Sequence, residues 1–410
     1  MKMTRERLLY DLYVAFYSAR KGKGKRSYVL KWEKDMKANM EALCDDLITR
    51  RYQPLPSKCF IVEYPKKREI FAAMFRDRIV HHLYFNYTHQ LFEQTFIQDS
   101  YSCIKGRGTH YGIERIEGMC RRESRNWQCK CYALHLDIRG YFMHIVRSKL
   151  LDIAVASLRK MAEHRVPRSI CADTAQWKDL LDMDFVIWLT GVIVMLDPKQ
   201  NCVIVGEPSS WNGLDKAKSL LQQPDGRGLP IGNLTSQLFS NVYLNVLDQY
   251  VKRDLKCKYY GRYVDDALII GTDKEALIDM AFKIRNFLVS ELGLELHMGK
   301  LEISQVHNGI EFLGNYIRPW RRYLSHDSIS RIEQKVGELD LNHPMRVVRS
   351  VNSYLGIMRH TASYRVAKRL FMREGFLRIG VFNRDMTKFV PKRKYFKHLK
   401  HNTYEHQEVF

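Results

Sequence analysis

The chain has 410 residues, 45% of them hydrophobic, enough to bury a large core and divide into two or three domains, which excludes a disordered tail. Lys and Arg total 67 against 45 Asp and Glu, a net charge of +22; with 12% aromatic residues among that charge, nucleic acid is the expected polyanionic partner. Nine cysteines without a paired CxxC spacing read as reduced, so no disulfide framework is expected. Cys129-Lys130-Cys131 lacks a second Cys/His pair at zinc spacing and reads as packing. The longest apolar run, Phe185 to Leu196, is too short to span a bilayer, and the charged first residues carry no signal-peptide core. A cytoplasmic protein without membrane partners is the expectation.

Taken in order, Leu8, Leu12, Ala15 and Phe16 recur at helical spacing after a cap at Thr4 and lead into the basic stretch Arg20 to Arg26. Trp32, Met36, Met40, Leu43 and Leu47 form a second stripe, expected as one helix. Cys59 to Val62 reads as a strand, and Lys66, Lys67 and Arg68 follow Pro65; three cations there suit either a triphosphate cradle or a solvated hairpin tip. The run from Phe75 to Phe92 has a helical pattern in which His81 and His82 read as packing or surface residues. Ser100 to Gly112 is loop-like, with Lys105 and Arg107 among small residues, as a contact to a nucleic-acid backbone requires.

Leu134, Leu136 and Ile138 alternate, so Tyr132 to Ile138 reads as a half-buried strand presenting Asp137 on the opposite face, with Phe142 one turn beyond. Residues from about 151 to 227 contain helical pieces, a turn at Asp197-Pro198 and a strand at Cys202 to Val205, without recognisable chemistry. A Gly-rich turn, Gly226 to Asn233, precedes a helix from Leu234 to Tyr250. Further helices are expected at Ala276 to Leu292, after Ser325, and after Pro344, with a hairpin at Ile310 to Tyr316. Lys388 to Lys400 mixes Lys and Arg with Phe389, Tyr395 and Phe396, the composition of a nucleic-acid-binding tail.

Tyr259 to Gly271, YYGRYVDDALIIG, organises the rest. Adjacent strand residues face opposite ways, so Asp265 and Asp266 serve one site only if the chain turns at Val264-Asp265. Isolated, such a pair also reads as a solvated hairpin tip. Carboxylates packed together resist common ionisation, which suggests a divalent cation, and oxygen ligands favour magnesium.

Asp137 on one strand and Asp265-Asp266 on a later hairpin resemble the catalytic core of reverse transcriptases. Asp137 with Phe142 is similar to the first palm motif, Gly228 to Gln237 to the second, YVDD to the third, Gly293 to Lys300 to the fourth, and Ile310 to Tyr316 to the primer grip. Leu229 to Gln237 departs from the usual form, with Ile231 where Gln is customary and Gln237 where Pro is. That variant, with Arg76 to His82 and Asn352 to Gly356, resembles reverse transcriptases of diversity-generating retroelements, which miscopy adenines of a template-repeat RNA into cDNA that replaces part of a target gene. Retron and group II intron enzymes share the palm, and a non-catalytic RNA-binding scaffold is the competing class.

The resemblance implies an α+β right-hand polymerase: a basic helical extension over 1–55, fingers over 56–130, a palm with an antiparallel sheet over 131–320 whose insertion at about 151–227 belongs partly to the fingers, and a helical thumb with a basic tail over 321–410. It implies two Mg²⁺ ions, replaceable by Mn²⁺, on Asp137, Asp265 and Asp266 with the Ile138 carbonyl. Lys67, Arg68, Phe142, Ile231, Gly232, Gln237 and Lys300 would meet the deoxynucleoside triphosphate. Tyr263, Lys105, Arg107, Phe312, Leu313 and Gly314 would meet primer or template. The implied partners are template RNA, cDNA primer and a small, basic, oligomeric accessory variability protein.

Overall fold

The structure, a computed structural model, describes residues 2–64, 66–171 and 174–393. Helices and strands alternate irregularly. The strands are β1 (Ser57–Val62), β2 (Arg68–Ala72), β3 (Tyr132–Asp137), β4 (Cys202–Ile204), β5 (Tyr259–Tyr263), β6 (Asp266–Gly271), β7 (Glu302–Gln305), β8 (Ile310–Phe312), β9 (Asn315–Arg318), β10 (Arg321–Leu324), β11 (Gly380–Phe382) and β12 (Phe389–Pro391). They form sheets of order β2-β1-β4, β10-β9-β8, β11-β12 and β5-β6-β3-β7. Backbone contacts divide the chain into two discontinuous units. One comprises Met1–Gly106, Leu136–Ala267 and Ile278–Leu301, the other Arg107–His135, Leu268–Leu277 and Glu302–Phe410.

In the first unit, Thr4 caps the helix Arg5–Arg20, its side chain accepting from the Arg7 N–H, and Leu8, Leu12, Ala15 and Phe16 are buried as their spacing requires. The second stripe is divided: helices Ser27–Lys34 and Met36–Ile48 meet at Asp35, whose φ of −118° and ψ of 37° interrupt the helix. Asn39 then donates from Nδ2 to the Trp32 carbonyl across the break. β1 pairs antiparallel with β2, from Lys58 opposite Ala72 to Val62 opposite Arg68, and parallel with β4. The apolar run inside the insertion is the helix Met183–Met195, capped by Asp182 and burying Phe185, Val186, Leu189 and Val194. Among the described residues no helix is long and apolar enough to cross a membrane.

In the second unit, β3 pairs antiparallel with β7, Tyr132 opposite Gln305 and His135 opposite Glu302. β8 and β9 form the expected hairpin, Phe312 opposite Asn315. Ser325 caps the helix His326–Gly337, and Pro344 begins the helix Pro344–Met358, where its missing N–H costs nothing. Ile332, Val336, Val351, Leu355, Leu370 and Phe371 are among the residues of one core, which also takes in Phe389. Phe389 is therefore a core residue of β12 and not part of a nucleic-acid-binding tail, because its ring stacks on Phe382 at 4.3 Å between centroids. Residues 394–400 of that stretch, including Tyr395 and Phe396, lie outside the described residues.

Candidate active site

β5 and β6 are joined by a turn at Val264-Asp265, which leaves Asp265 and Asp266 at the tip. Val264 takes a φ of 57°, left-handed backbone that a β-branched residue adopts only under constraint. The Ser102 hydroxyl accepts from the Val264 N–H at 3.1 Å, and Arg262 donates from Nη1 to the Val264 carbonyl at 2.8 Å. Both peptide groups of the strained residue are thereby held.

Asp137 ends β3, and the chain continues pairing through Ile138, which bridges Leu296 antiparallel. The His297 N–H donates to the Asp137 carbonyl at 2.8 Å and the Arg139 N–H to the Glu295 carbonyl at 2.9 Å. This pairing brings the short 3₁₀ turn Met298–Lys300 beside Asp137, and the Lys300 ammonium forms an ion pair with the Asp137 carboxylate. Burial pushes the Asp265 carboxyl up to about 6; Asp137 and Asp266 add to the rise and Lys300 opposes it. Those influences place Asp137, Asp265, Asp266 and Lys300 in one electrostatic neighbourhood. Among the described residues no group of three His, Cys, Asp or Glu side chains is drawn together as a metal cage.

Beyond Asp137, Gly140 takes a φ of 53°, and a Cβ there would lie 2.5 Å from the Ala217 carbonyl oxygen. Only glycine makes that turn without displacing a neighbour. It opens the short helix Tyr141–His144 carrying Phe142, whose ring is half-buried. The Phe142 carbonyl accepts from the Leu229 N–H at 2.8 Å, tying the Asp137 segment to the Gly-rich turn. In that turn the Ile231 carbonyl accepts from the Phe71 N–H at 2.8 Å, and the Ile231 side chain packs against a cluster of Cys59, Phe71, Met143 and Leu220. Gly232 lies so close to β2 that a Cβ would stand 2.9 Å from the Phe71 carbonyl oxygen. Gln237 is exposed on the helix Leu234–Gln249.

The cations of the β1–β2 hairpin differ in what they can do. Lys67 is engaged, its ammonium 3.0 Å from Glu63 and donating to the Asn212 carbonyl at 2.8 Å, whereas Arg68 is exposed at the start of β2. Tyr263 is half-buried at the end of β5, and Lys105 is exposed in a loop of the same unit. Arg107 begins the second unit, which also holds the β8–β9 hairpin. There Phe312 is buried, while Leu313 and Gly314 make its turn with φ of 50° and 74°. The Gly314 carbonyl accepts from the Ser325 N–H and the Ser328 hydroxyl, both at 3.0 Å.

Three buried charged residues outside the sequence motifs lie close behind these groups. Arg262 is 1% exposed and forms a bidentate pair with the equally buried Asp248, Nε to Oδ1 at 2.8 Å and Nη2 to Oδ2 at 2.6 Å. Burial alone would lower the guanidinium pKa, and Asp248 more than offsets it, so the group stays charged. Glu69 on β2 is fully buried and, among the described residues, forms no ion pair; its carboxylate accepts from Trp211 Nε1 at 2.8 Å, the Ser219 hydroxyl at 2.8 Å and the Leu220 N–H at 2.6 Å. The signal for Arg262 was its place in an otherwise apolar strand. Glu69 showed none, its partners lying in a segment with no motif.

The family model described as reverse transcriptase (RNA-dependent DNA polymerase) matches residues 65–317. The chain is 25% identical over 334 residues to Protein YkfC of Escherichia coli (strain K12), covering 72% of this chain and 76% of that one. Among solved structures it is similar to apo telomerase from Candida tropicalis, with a TM-score of 0.47, 11% identity, 82% of this chain and 62% of that chain covered. It is likewise similar to telomerase from Candida albicans in complex with a TWJ fragment of telomeric RNA, with a TM-score of 0.45, 12% identity and coverage of 84% and 59%. The chain thus spans about 60% of the length of those telomerase chains. The matched family segment takes in the Asp137 strand, the Gly-rich turn, the Val264-Asp265 turn and Lys300, and the chain, an α+β fold by its own helices and sheets, accordingly belongs to the reverse transcriptase (RNA-dependent DNA polymerase) family.

Proposed function

We propose that the chain copies an RNA template into cDNA with low fidelity opposite adenine, as a diversity-generating retroelement requires. The observation that carries this reading is the apolar joint at Ile231. The residue meets β2 through its backbone carbonyl and packs its half-buried, apolar side chain against the cluster that holds Phe71 and Met143, so it offers a nascent base pair no side-chain hydrogen bond. A glutamine there would add a donor and an acceptor beside Gly232. In this reading residues 56–130 form the fingers, 131–320 the palm with an insertion shared with the fingers, and 321–410 a helical thumb.

The donor set at the turn has the chemistry of a hard divalent site: burial and two acidic neighbours raise the Asp265 carboxyl, and Lys300, paired with Asp137, offsets that rise only in part. Asp137, Asp265 and Asp266 would hold Mg²⁺, with the Ile138 carbonyl as a further oxygen. Bound there, the metal would supply Lewis-acid stabilisation of the charge on the transferring phosphate. In the reaction the primer 3′ oxygen would bond to the α-phosphorus, its proton passing to solvent water, as the bond to pyrophosphate breaks. Arg68, exposed on the hairpin, meets the phosphates; Phe142 lies against the sugar C2′ position; Lys300, already beside Asp137, is placed to give a proton to the leaving pyrophosphate. An accessory protein, small and basic, would assemble with this polymerase, and the work would take place in the cytoplasm.

The test is extension of a DNA primer on an adenine-containing RNA with Mg²⁺ and four deoxynucleotides, the products being sequenced. Errors concentrated opposite adenine in the wild type, fewer with Ile231→Gln, and no product with Asp265→Asn despite retained RNA binding are the expected outcomes. Faithful wild-type products would move the chain to a retron-like or intron-like role. RNA binding without product, accessory protein supplied, would leave only a scaffold.

A further inference from the structure

The turn that presents Asp265 is strained, and its strain is held from behind. Val264 has a φ of 57° with a β-branched side chain, a conformation that persists only where surrounding bonds over-determine it. Those bonds run to groups outside the motif. Arg262, two residues back on β5, donates to the Val264 carbonyl at 2.8 Å from Nη1 while Nε and Nη2 grip Asp248 on the helix Leu234–Gln249. The same guanidinium reaches Ser100 Oγ at 3.3 Å and Asn241 Oδ1 at 3.4 Å. Tyr260 adds a bond from its hydroxyl to Asp248 Oδ1 at 2.8 Å. The Val264 N–H donates to Ser102 Oγ, and Asn241 Nδ2 donates to the Ser102 carbonyl at 2.8 Å. A buried ion pair as such contributes little net stability, yet this one ends on the carbonyl of a strained residue adjacent to Asp265.

We propose that Arg262 is a positioning residue for polymerisation: clamped by Asp248, it fixes the left-handed Val264 peptide and so the direction of the Asp265 carboxylate. The inference rests on Asp265 serving the reacting centre. A lysine would keep the charge but lacks the planar fork needed to bond Asp248 and Val264 together. The helix Leu234–Gln249, which begins at the Gly-rich turn, thereby sets the geometry of the acidic turn through Asp248.

The test uses the full chain carrying Asp248→Asn with Arg262→Gln, which removes both charges and leaves neither buried alone. Extension on an RNA template should show kcat reduced about 30-fold, the KM for deoxynucleotide within about twofold, and amide exchange at Val264 and Asp265 faster by about tenfold. Adding Val264→Gly should recover at least about a third of the lost rate on a logarithmic scale, because glycine takes positive φ without strain. A brace that merely supports the fold would not respond to that glycine. Wild-type kcat in the double variant, unchanged amide exchange, or a loss that Val264→Gly leaves untouched would overturn the proposal. Should the double variant not fold, Ser102→Ala removes the other tether without touching a charge. It should lower kcat about fivefold, again with recovery by Val264→Gly, and an unaltered rate would overturn the proposal. Full activity in Asp265→Asn would instead remove the assignment of the reacting centre itself.

Discussion

Phe142 reaches its place through two backbone events: the left-handed turn at Gly140 and the bond from the Leu229 N–H to its own carbonyl. Its half-buried ring is edge-on to Tyr141, with centroids 5.4 Å apart, and Tyr141 is anchored by its hydroxyl to the Ser240 carbonyl. In the proposed mechanism a ring so supported would not yield to an extra oxygen atom on an incoming sugar. Phe142→Ala should therefore admit ribonucleotides, reducing discrimination against the 2′-hydroxyl by about 10- to 100-fold while deoxynucleotide extension persists. Competition between a ribonucleotide and its deoxy counterpart on the same primer measures it, and unchanged selectivity would take the steric role away from Phe142. At the same scale, Lys67 is already committed to Glu63 and Asn212, so in the proposed mechanism the exposed Lys66 and Arg68 would carry the larger part of any phosphate contact made by the β1–β2 hairpin.

Between elements, the least expected link is the one Glu69 makes. The insertion offers no motif, yet Trp211, Ser219 and Leu220 all donate to this one buried carboxylate, joining the insertion to β2. Leu220 also packs beside Cys59, Phe71 and Met143, with Ile231 against the same cluster. Glu69→Ala leaves these donors unsatisfied in a buried setting and should cost about 2–4 kcal/mol of unfolding free energy in urea, whereas Glu69→Gln, retaining an acceptor, should cost less. Equal losses for the two would mean that charge, and not the acceptor geometry, holds the insertion. The contrast with Asp265 shows what a sequence discloses. The turn at Val264-Asp265 followed from the alternation of strand faces, and the strand bearing Asp137 from three alternating apolar residues, because those are local patterns. Glu69 and the Arg262–Asp248 pair depend on partners 142 to 152 residues away or across a helix, and in a strongly basic chain an arginine reads first as a phosphate contact. The division of the second apolar stripe at Asp35 was hidden for another reason: Trp32 and Met36 keep helical spacing even though they stand on different helices.

For the molecule as a whole, the count of 67 Lys and Arg overstates what is available to a polyanion. Arg262 is consumed by Asp248, and Arg147, 3% exposed, by Asp197 at 3.1 Å. Such cations serve the interior and release no counterions from RNA. The remaining exposed charge is still large, including Lys21, Lys25 and Arg26 after the first helix and Lys105 in its loop. With about 6–10 phosphates neutralised, affinity for single-stranded RNA should fall with salt at a log–log slope of about −4 to −7. Fluorescence anisotropy of a labelled RNA over 50 to 200 mM KCl, across which the Debye length falls about twofold, measures that slope directly. Asp265→Asn should leave it unchanged, since in the proposed mechanism the acidic turn would act on the reacting phosphate and not on the length of bound RNA. Arg262→Gln paired with Asp248→Asn should leave it unchanged as well, because that guanidinium never meets solvent. A slope near about −1, or one that shifts when Arg262 is replaced, would mean that the positive charge of this chain is organised around its own carboxylates and not around the template.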